Sequence, residues 1–127
     1  MSKLFTVDIH THILPKDIPN FNKKFGYGEF IQLQHHKPCC AKMMMNDQFF
    51  REIESNCWDP KTRIDECNHQ HVDVQVLSTV PVMFSYWTKP KHGLEISQFL
   101  NDDIMTSVDN YQDYHLLECF LLSLMVC

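Results

Sequence analysis

The sequence predicts an α/β chain built from parallel β/α units, and three observations carry that expectation. An apolar run, Phe5-Thr6-Val7-Asp8-Ile9-His10-Thr11-His12, reads as a first strand. A second run, Val72 to Val80, alternates and then turns continuously apolar, the pattern of a buried strand. Helical patterns, one opened by Asp59-Pro60 and one spanning Gly93 to about Asn110, come after these strands. Strands that alternate with helices argue for parallel units whose functional loops follow the strands.

The bulk properties fit one domain with a real core: 127 residues, 44% hydrophobic, net charge −5. The acidic balance and scattered lysines offer no basic stripe, so nucleic-acid binding is not expected. No apolar run approaches the roughly 20 residues of a membrane span, and no signal-peptide core forms before Asp8. Six cysteines without a Cys-x-x-Cys pattern, together with no secretory signal, point to reduced thiols and a cytosolic setting.

Taken in order, the first strand ends before Pro15, and Pro15 and Pro19 keep 14–20 from forming a regular helix. Residues 20–57 are long and poorly periodic, with a short strand possible at Gln48 to Ile53; a loop of this length inside a domain usually serves a site. Asp59 is an N-cap and Pro60 a first helical residue, predicting a helix to about His71 with Ile64 and Cys67 or Asn68 on one side. Pro81 closes the second strand, and 85–90 is loop. Ile96, Phe99, Leu100, Ile104 and Val108 recur at three- and four-residue spacing, one apolar stripe of a second helix. Leu116 to Val126 is a third apolar run, strand-like in length.

The chemistry concentrates in His10-Thr11-His12. Side chains alternate along a strand, so the two imidazoles point the same way, with Cα atoms roughly 6.6–6.8 Å apart. Neutral imidazoles so placed can share one divalent transition metal. A second His-x-His, at His69 and His71, lies at the end of the first helix. Residues two apart there sit about 200° apart around the axis, so a C-terminal interaction with the helix dipole is expected instead. His35 and His36 are adjacent and diverge, as solvent-exposed loop residues would. Arg51, in Phe49-Phe50-Arg51, suits either a bidentate carboxylate contact or a surface ion pair. Trp58, Phe84, Tyr86 and Trp87 could wall a pocket or simply pack. Met43-Met44-Met45 reads as flexible packing filler.

Several stretches together carry a resemblance. Val7-Asp8-Ile9-His10-Thr11-His12-Ile13-Leu14-Pro15, Phe25-Gly26-Tyr27-Gly28, Gln32-Leu33-Gln34-His35-His36, Asn56-Cys57-Trp58-Asp59-Pro60 and the eleven residues Leu77 to Trp87 resemble the 2-amino-3-carboxymuconate-6-semialdehyde decarboxylase family. That family lies within the metal-dependent amidohydrolase superfamily. Asp-Ile-His-Thr-His indicates only the superfamily, whereas 77–87 with Asn-Cys-Trp-Asp-Pro is far more specific. The resemblance runs from about residue 4 to about 111. It implies a (β/α)₈ TIM barrel with one Zn²⁺ held by His10, His12, a later histidine and a late aspartate. It also implies that Arg51 binds a carboxylate of a small-molecule substrate, 2-amino-3-carboxymuconate semialdehyde, and that a homodimer forms. The implied reaction is non-oxidative decarboxylation in tryptophan (kynurenine) degradation, which limits quinolinate. A zinc-acidified water would work there with a later histidine. Met45 is a departure within 43–47, standing where vertebrate members carry lysine, and removes any charge at that point.

The resemblance fades after Tyr111, where His115-Leu116-Leu117-Glu118-Cys119-Phe120-Leu121 replaces the family's third strand. The codons for this heptapeptide, read two bases later, can encode Phe-Ile-Gly-Met-Phe-Pro-Leu, so a frame change, splice variant or faulty gene reading is expected. The expected organisation is therefore an amino-terminal barrel portion at 1–111 containing an inserted loop region at 20–57, then a divergent apolar tail at 112–127. About two β/α units are present, against about 250 residues in a typical barrel. The later metal ligands and the catalytic histidine fall outside this chain, so it should be inactive alone. The alternative is a non-catalytic fragment that associates with the full-length subunit.

Overall fold

A computed structural model describes residues 4–111 and the short strand at 116–118. The chain forms two three-stranded sheets. The first contains β1 (Val7–Ile13), β5 (Val74–Thr79) and β6 (Leu116–Glu118), all parallel and in the order β1-β5-β6. The second is an antiparallel meander of β2 (Ile31–Lys37), β3 (Cys40–Met45) and β4 (Gln48–Glu54). Helix α1 (Phe21–Phe25) precedes the meander, α2 (Pro60–Gln70) links it to β5, and α3 (Pro90–Asn110) links β5 to β6.

The expected parallel β/α order is present, with two connections carrying helices between parallel strands. The short strand expected at Gln48 to Ile53 is β4, whereas the rest of 20–57 differs from its expected loop character, being filled by α1, β2 and β3. The missed strands are β2 and β3, and the pattern of β2 hides it: it buries Ile31 but exposes Gln34 through Lys37. Its turn to β3 contains Pro38, and the β3–β4 turn is Asn46-Asp47. Both residues of that turn have positive φ (50° and 58°), as a two-residue type I′ hairpin requires. Residues 43–47 are accordingly the end of a strand and a tight turn, with Met43 buried and Met45 packed against the core. Of the predicted third run, 116–118 pairs with β5, and the remainder lies outside the described residues.

Helix α2 forms as its start signals dictate. Asp59 accepts the amide protons of Lys61 and Thr62 and the Thr62 hydroxyl at 2.6 Å, while Pro60 needs no amide partner at the first helical position. His71 ends the helix in the left-handed conformation, its amide reaching back to Asn68. Helix α3 begins at Pro90, three residues earlier than the apolar stripe suggests. Lys89 gives no side-chain cap to mark that start, and Pro90 at the first position is the one available signal.

Packing follows from these faces. Ile13 of β1 and Leu77 of β5 meet Ile64 of α2 and Ile104 of α3, with Val108 and Tyr111 alongside. A larger core joins the inner face of the meander (Ile31, Ala41, Met43, Ile53) to Leu14, Trp58, Met83, Ile96 and Leu100. Each such aliphatic side chain contributes about 1.5–3 kcal/mol when fully buried. Helix α3 therefore touches both cores, Ile96 and Leu100 in one and Ile104 in the other. Its first turns are also pinned through Tyr27, whose hydroxyl meets His92 Nδ1 at 2.7 Å and accepts the Lys89 amide at 3.1 Å.

A groove of about 970 Å³ lies between the β2–β3 turn and the second half of α3. Lys16, His35, Trp58 and Asp103 are among its lining residues. Burial, and after it the charge of Asp17, raises the Asp103 carboxyl above its ordinary 3.8. A raised carboxyl favours the fold while protonated, and that contribution is lost as pH rises through the folded-state value. Asp103→Asn should therefore raise Tm at neutral pH, with the gain disappearing below pH 3.8 in thermal melts run across pH. Gly28 has φ +101°, and a Cβ there would stand 2.5 Å from the Trp87 ring and 2.6 Å from Phe30. Gly28→Ala is expected to cost about 2–4 kcal/mol in denaturant unfolding, from strain and overpacking together.

Candidate metal centre

The two strand histidines are brought together. The His10 and His12 ring centroids lie 5.2 Å apart, edge to face at 86°. The expectation from simple alternation survives a complication, because β1 is not regular. Asp8 pairs with Gln75 and Thr11 with Leu77, so three steps on β1 match two on β5. One extra residue is bulged at Ile9-His10. The Asp8 carboxylate accepts the His10 amide at 3.2 Å and so satisfies a donor that the bulge takes out of the ladder.

The bulge decides what accompanies the histidines. Unbroken alternation would put Asp8 on their face. The extra residue instead turns Asp8 with Thr11 and Ile13 toward α2, where it lines a small cavity with Arg63, Glu66 and Cys67. On the other face His12 is half-buried and His10 exposed. Among the described residues no cluster of three or more His, Cys, Asp or Glu side chains could hold a metal ion. His10 and His12 are a pair.

His12 is held in one tautomer. Its Nδ1 lies 3.1 Å from the Thr79 carbonyl oxygen and 3.0 Å from Ser78 Oγ. A carbonyl can only accept, and Ser78 already donates its proton to the Thr11 carbonyl at 2.7 Å. Nδ1 therefore carries the proton and donates to both. The lone pair sits on Nε2, the nitrogen left free for a cation. A ligating histidine whose other nitrogen donates to a carbonyl or hydroxyl is the usual support for metal ligation. Ser78 and Thr79 are thus candidate positioning residues that a search for ligands alone passes over.

The other candidate residues are dispersed. Arg51 stands exposed on the edge strand β4, opposite Met43 and in the other sheet from the histidines. His35 and His36 lie on strand β2, not in a loop. His35 meets the Lys16 carbonyl at 2.6 Å and sets its ring edge against Trp58, while His36 faces Glu52 at 3.4 Å. His69 and His71 occupy the last turn and cap of α2, as their spacing predicts. The four aromatics build no common wall. Trp58 is buried in the larger core, Trp87 tilts over Phe30 at 4.8 Å, and Phe84 pairs with Tyr86 at 5.4 Å.

Comparison with known proteins agrees with the resemblance carried by the motifs. The chain is 60% identical over 98 residues to a Dictyostelium discoideum protein named 2-amino-3-carboxymuconate-6-semialdehyde decarboxylase, a match covering 77% of this chain and 27% of that protein. A Caenorhabditis elegans protein of the same name is 45% identical over 112 residues, covering 88% of this chain and 28% of its own length. A Sus scrofa protein, also of that name, is 46% identical over 48 residues, covering 38% and 35%. The chain spans little more than a quarter of the first two relatives, and this coverage fits an amino-terminal portion. Among solved structures, Metarhizium anisopliae IDCase in apo form superposes with a TM-score of 0.65 at 17% identity, covering 94% of this chain and 35% of that one. This likeness is one of fold. No family model matches the chain.

The tautomer is open to direct measurement. Long-range ¹H–¹⁵N NMR on neutral His12 should show Nδ1 protonated and Nε2 bare, and a dominant Nε2–H form would contradict the assigned donor pattern.

Proposed function

We propose that the chain supplies the first two protein ligands, His10 and His12, of a zinc site in a decarboxylase of the amidohydrolase type. The observation that carries this reading is the fixed His12 tautomer, which leaves Nε2 free beside the His10 ring. The donor set fits zinc: two neutral imidazoles, one with a built hydrogen-bonded support. When bound, the cation would supply Lewis-acid polarisation of a substrate oxygen. The chain's own residues orient the ligands: the Thr79 carbonyl and Ser78 hydroxyl fix the His12 ring, and Asp8 holds the bulge that presents His10.

The wider setting is a (β/α)₈ barrel whose opening units are β1 with α2 and β5 with α3. The substrate would be the one that names the relatives, losing a carboxylate without oxidation in tryptophan breakdown, in the cytosol. Arg51 would bind a carboxylate of that substrate. Its guanidinium sits on the meander, so the meander is the element that would bring it to the site. No described helix is long and apolar enough to cross a membrane.

A catalytic zinc ordinarily has three protein ligands, so the 127-residue chain should bind the ion weakly and not decarboxylate. Calorimetric titration with Zn²⁺ should show binding that His12→Ala abolishes and Ser78→Ala weakens about tenfold. Binding unchanged by His12→Ala, or turnover at the rate of a full-length relative, would overturn this reading.

Exposed apolar side chains on edge strands favour a second reading, in which the chain is a non-catalytic associate of the full-length subunit. Ile9 on β1 is 78% exposed and Phe49 on β4 61%, and unpaired edges of this kind recruit other chains. Co-purification of the chain with the Dictyostelium relative would support that reading, and its absence at high concentration would remove it.

A further inference from the structure

The turn between β2 and β3 places two thiols side by side outside the site described above. Lys37 pairs with Cys40, so Pro38-Cys39 is a two-residue connection. Within it Cys39 Sγ and Cys40 Sγ are 3.1 Å apart, Cys39 exposed and Cys40 partly so, and both are free. Cys57 and Cys67 are also free but half-buried, and burial is the first cause of their raised pKa values. Such thiols react slowly.

We propose that Cys39 and Cys40 form a redox-active vicinal dithiol that closes to a disulfide by exchange with a small disulfide such as oxidised glutathione. Cys39 is the attacking thiol because it is the more exposed. Cys40 keeps its proton more firmly than an ordinary thiol, the hydrogen bond with Cys39 being the largest cause and burial the next. The Cys39 thiolate attacks one sulfur of the small disulfide, whose S–S bond breaks to release one thiol and leave a mixed disulfide. Cys40 then loses its proton to water, attacks the Cys39 sulfur and expels the second small thiol. Two protein thiols are oxidised and one disulfide is reduced to two thiols, with no further oxidant.

The geometry makes the product reversible. Adjacent Cα atoms are about 3.8 Å apart across a trans peptide, below the roughly 4.4–6.8 Å usual for disulfides, so the ring is strained and readily reduced. A metal chelate is a poorer use of the pair, because among the described residues no third ligand joins it. Closure would also act on the path to the histidines. The Cys39 carbonyl accepts the Ser55 amide at 2.9 Å, and the Cys57 carbonyl accepts that of Leu14 at 2.8 Å, two residues beyond His12.

The test is exchange of the reduced 127-residue chain with oxidised glutathione, followed by alkylation and peptide mapping by mass spectrometry. A Cys39–Cys40 link is expected, with thiols at 39 and 40 lost at least about tenfold faster than at 57 and 67. In Cys40→Ser a glutathione adduct should persist at Cys39, since nothing resolves it. In denaturant the rate advantage should shrink, because the turn no longer preorganises the pair. Equal rates at all four thiols, no persistent adduct in Cys40→Ser, a link from 39 or 40 to another cysteine, or an advantage undiminished by denaturant would each overturn the proposal.

Discussion

The parallel pairing of β1 with β5 is the constraint on which the rest depends. It buries Ile13 and Leu77 against both long helices, and it sets which way each residue of the His-Thr-His stretch faces. One inserted residue in β1 divides the strand's duties. Below it Asp8 faces the helices and the half-buried Arg63; beyond it His12 faces away from them and is met by Ser78 and Thr79 of the neighbouring strand. Without β5 alongside, His12 would have neither a fixed ring nor a fixed proton.

Around that pair the meander and α3 act as a brace. The 3₁₀ turn Ser55–Cys57 hands the end of the meander to α2 while its Cys57 carbonyl holds the Leu14 amide. Helix α3 spans both cores. The meander is thereby tied to the parallel sheet through backbone bonds and through one continuous helix face. This arrangement explains how an excursion between a first strand and its helix is held in place without disturbing the parallel pairing.

Much of this was legible in the residues. The two parallel strands, the Asp59-Pro60 start of α2 and the stripe of α3 follow from periodicity and capping, and the same-side placement of His10 and His12 follows from strand geometry. Three things were not legible. The bulge has no sequence mark, because Ile9-His10 looks like any other alternating step and only the partner strand counts the extra residue. Strand β4 was legible at Gln48 to Ile53, but the first two strands of the meander hid behind polar positions such as Gln34, His35 and His36, and behind an Asn-Asp turn that lacks the glycine such turns usually carry. The support of His12 by Ser78 and Thr79 is a contact across more than sixty residues, 66 to the serine and 67 to the threonine, which no local pattern encodes.

That separation also sets a sequence of events in time. The meander's hairpins close over short loops and can form within microseconds, whereas joining β1 to β5 must first close a far longer stretch of chain. The meander is thus in place while β1 still waits for its neighbour, with Ile13 and Leu77 not yet packed against the helices. The histidine pair acquires its orientation only when that long-range pairing forms, and a nascent chain whose apolar faces are still open at that stage is adhesive.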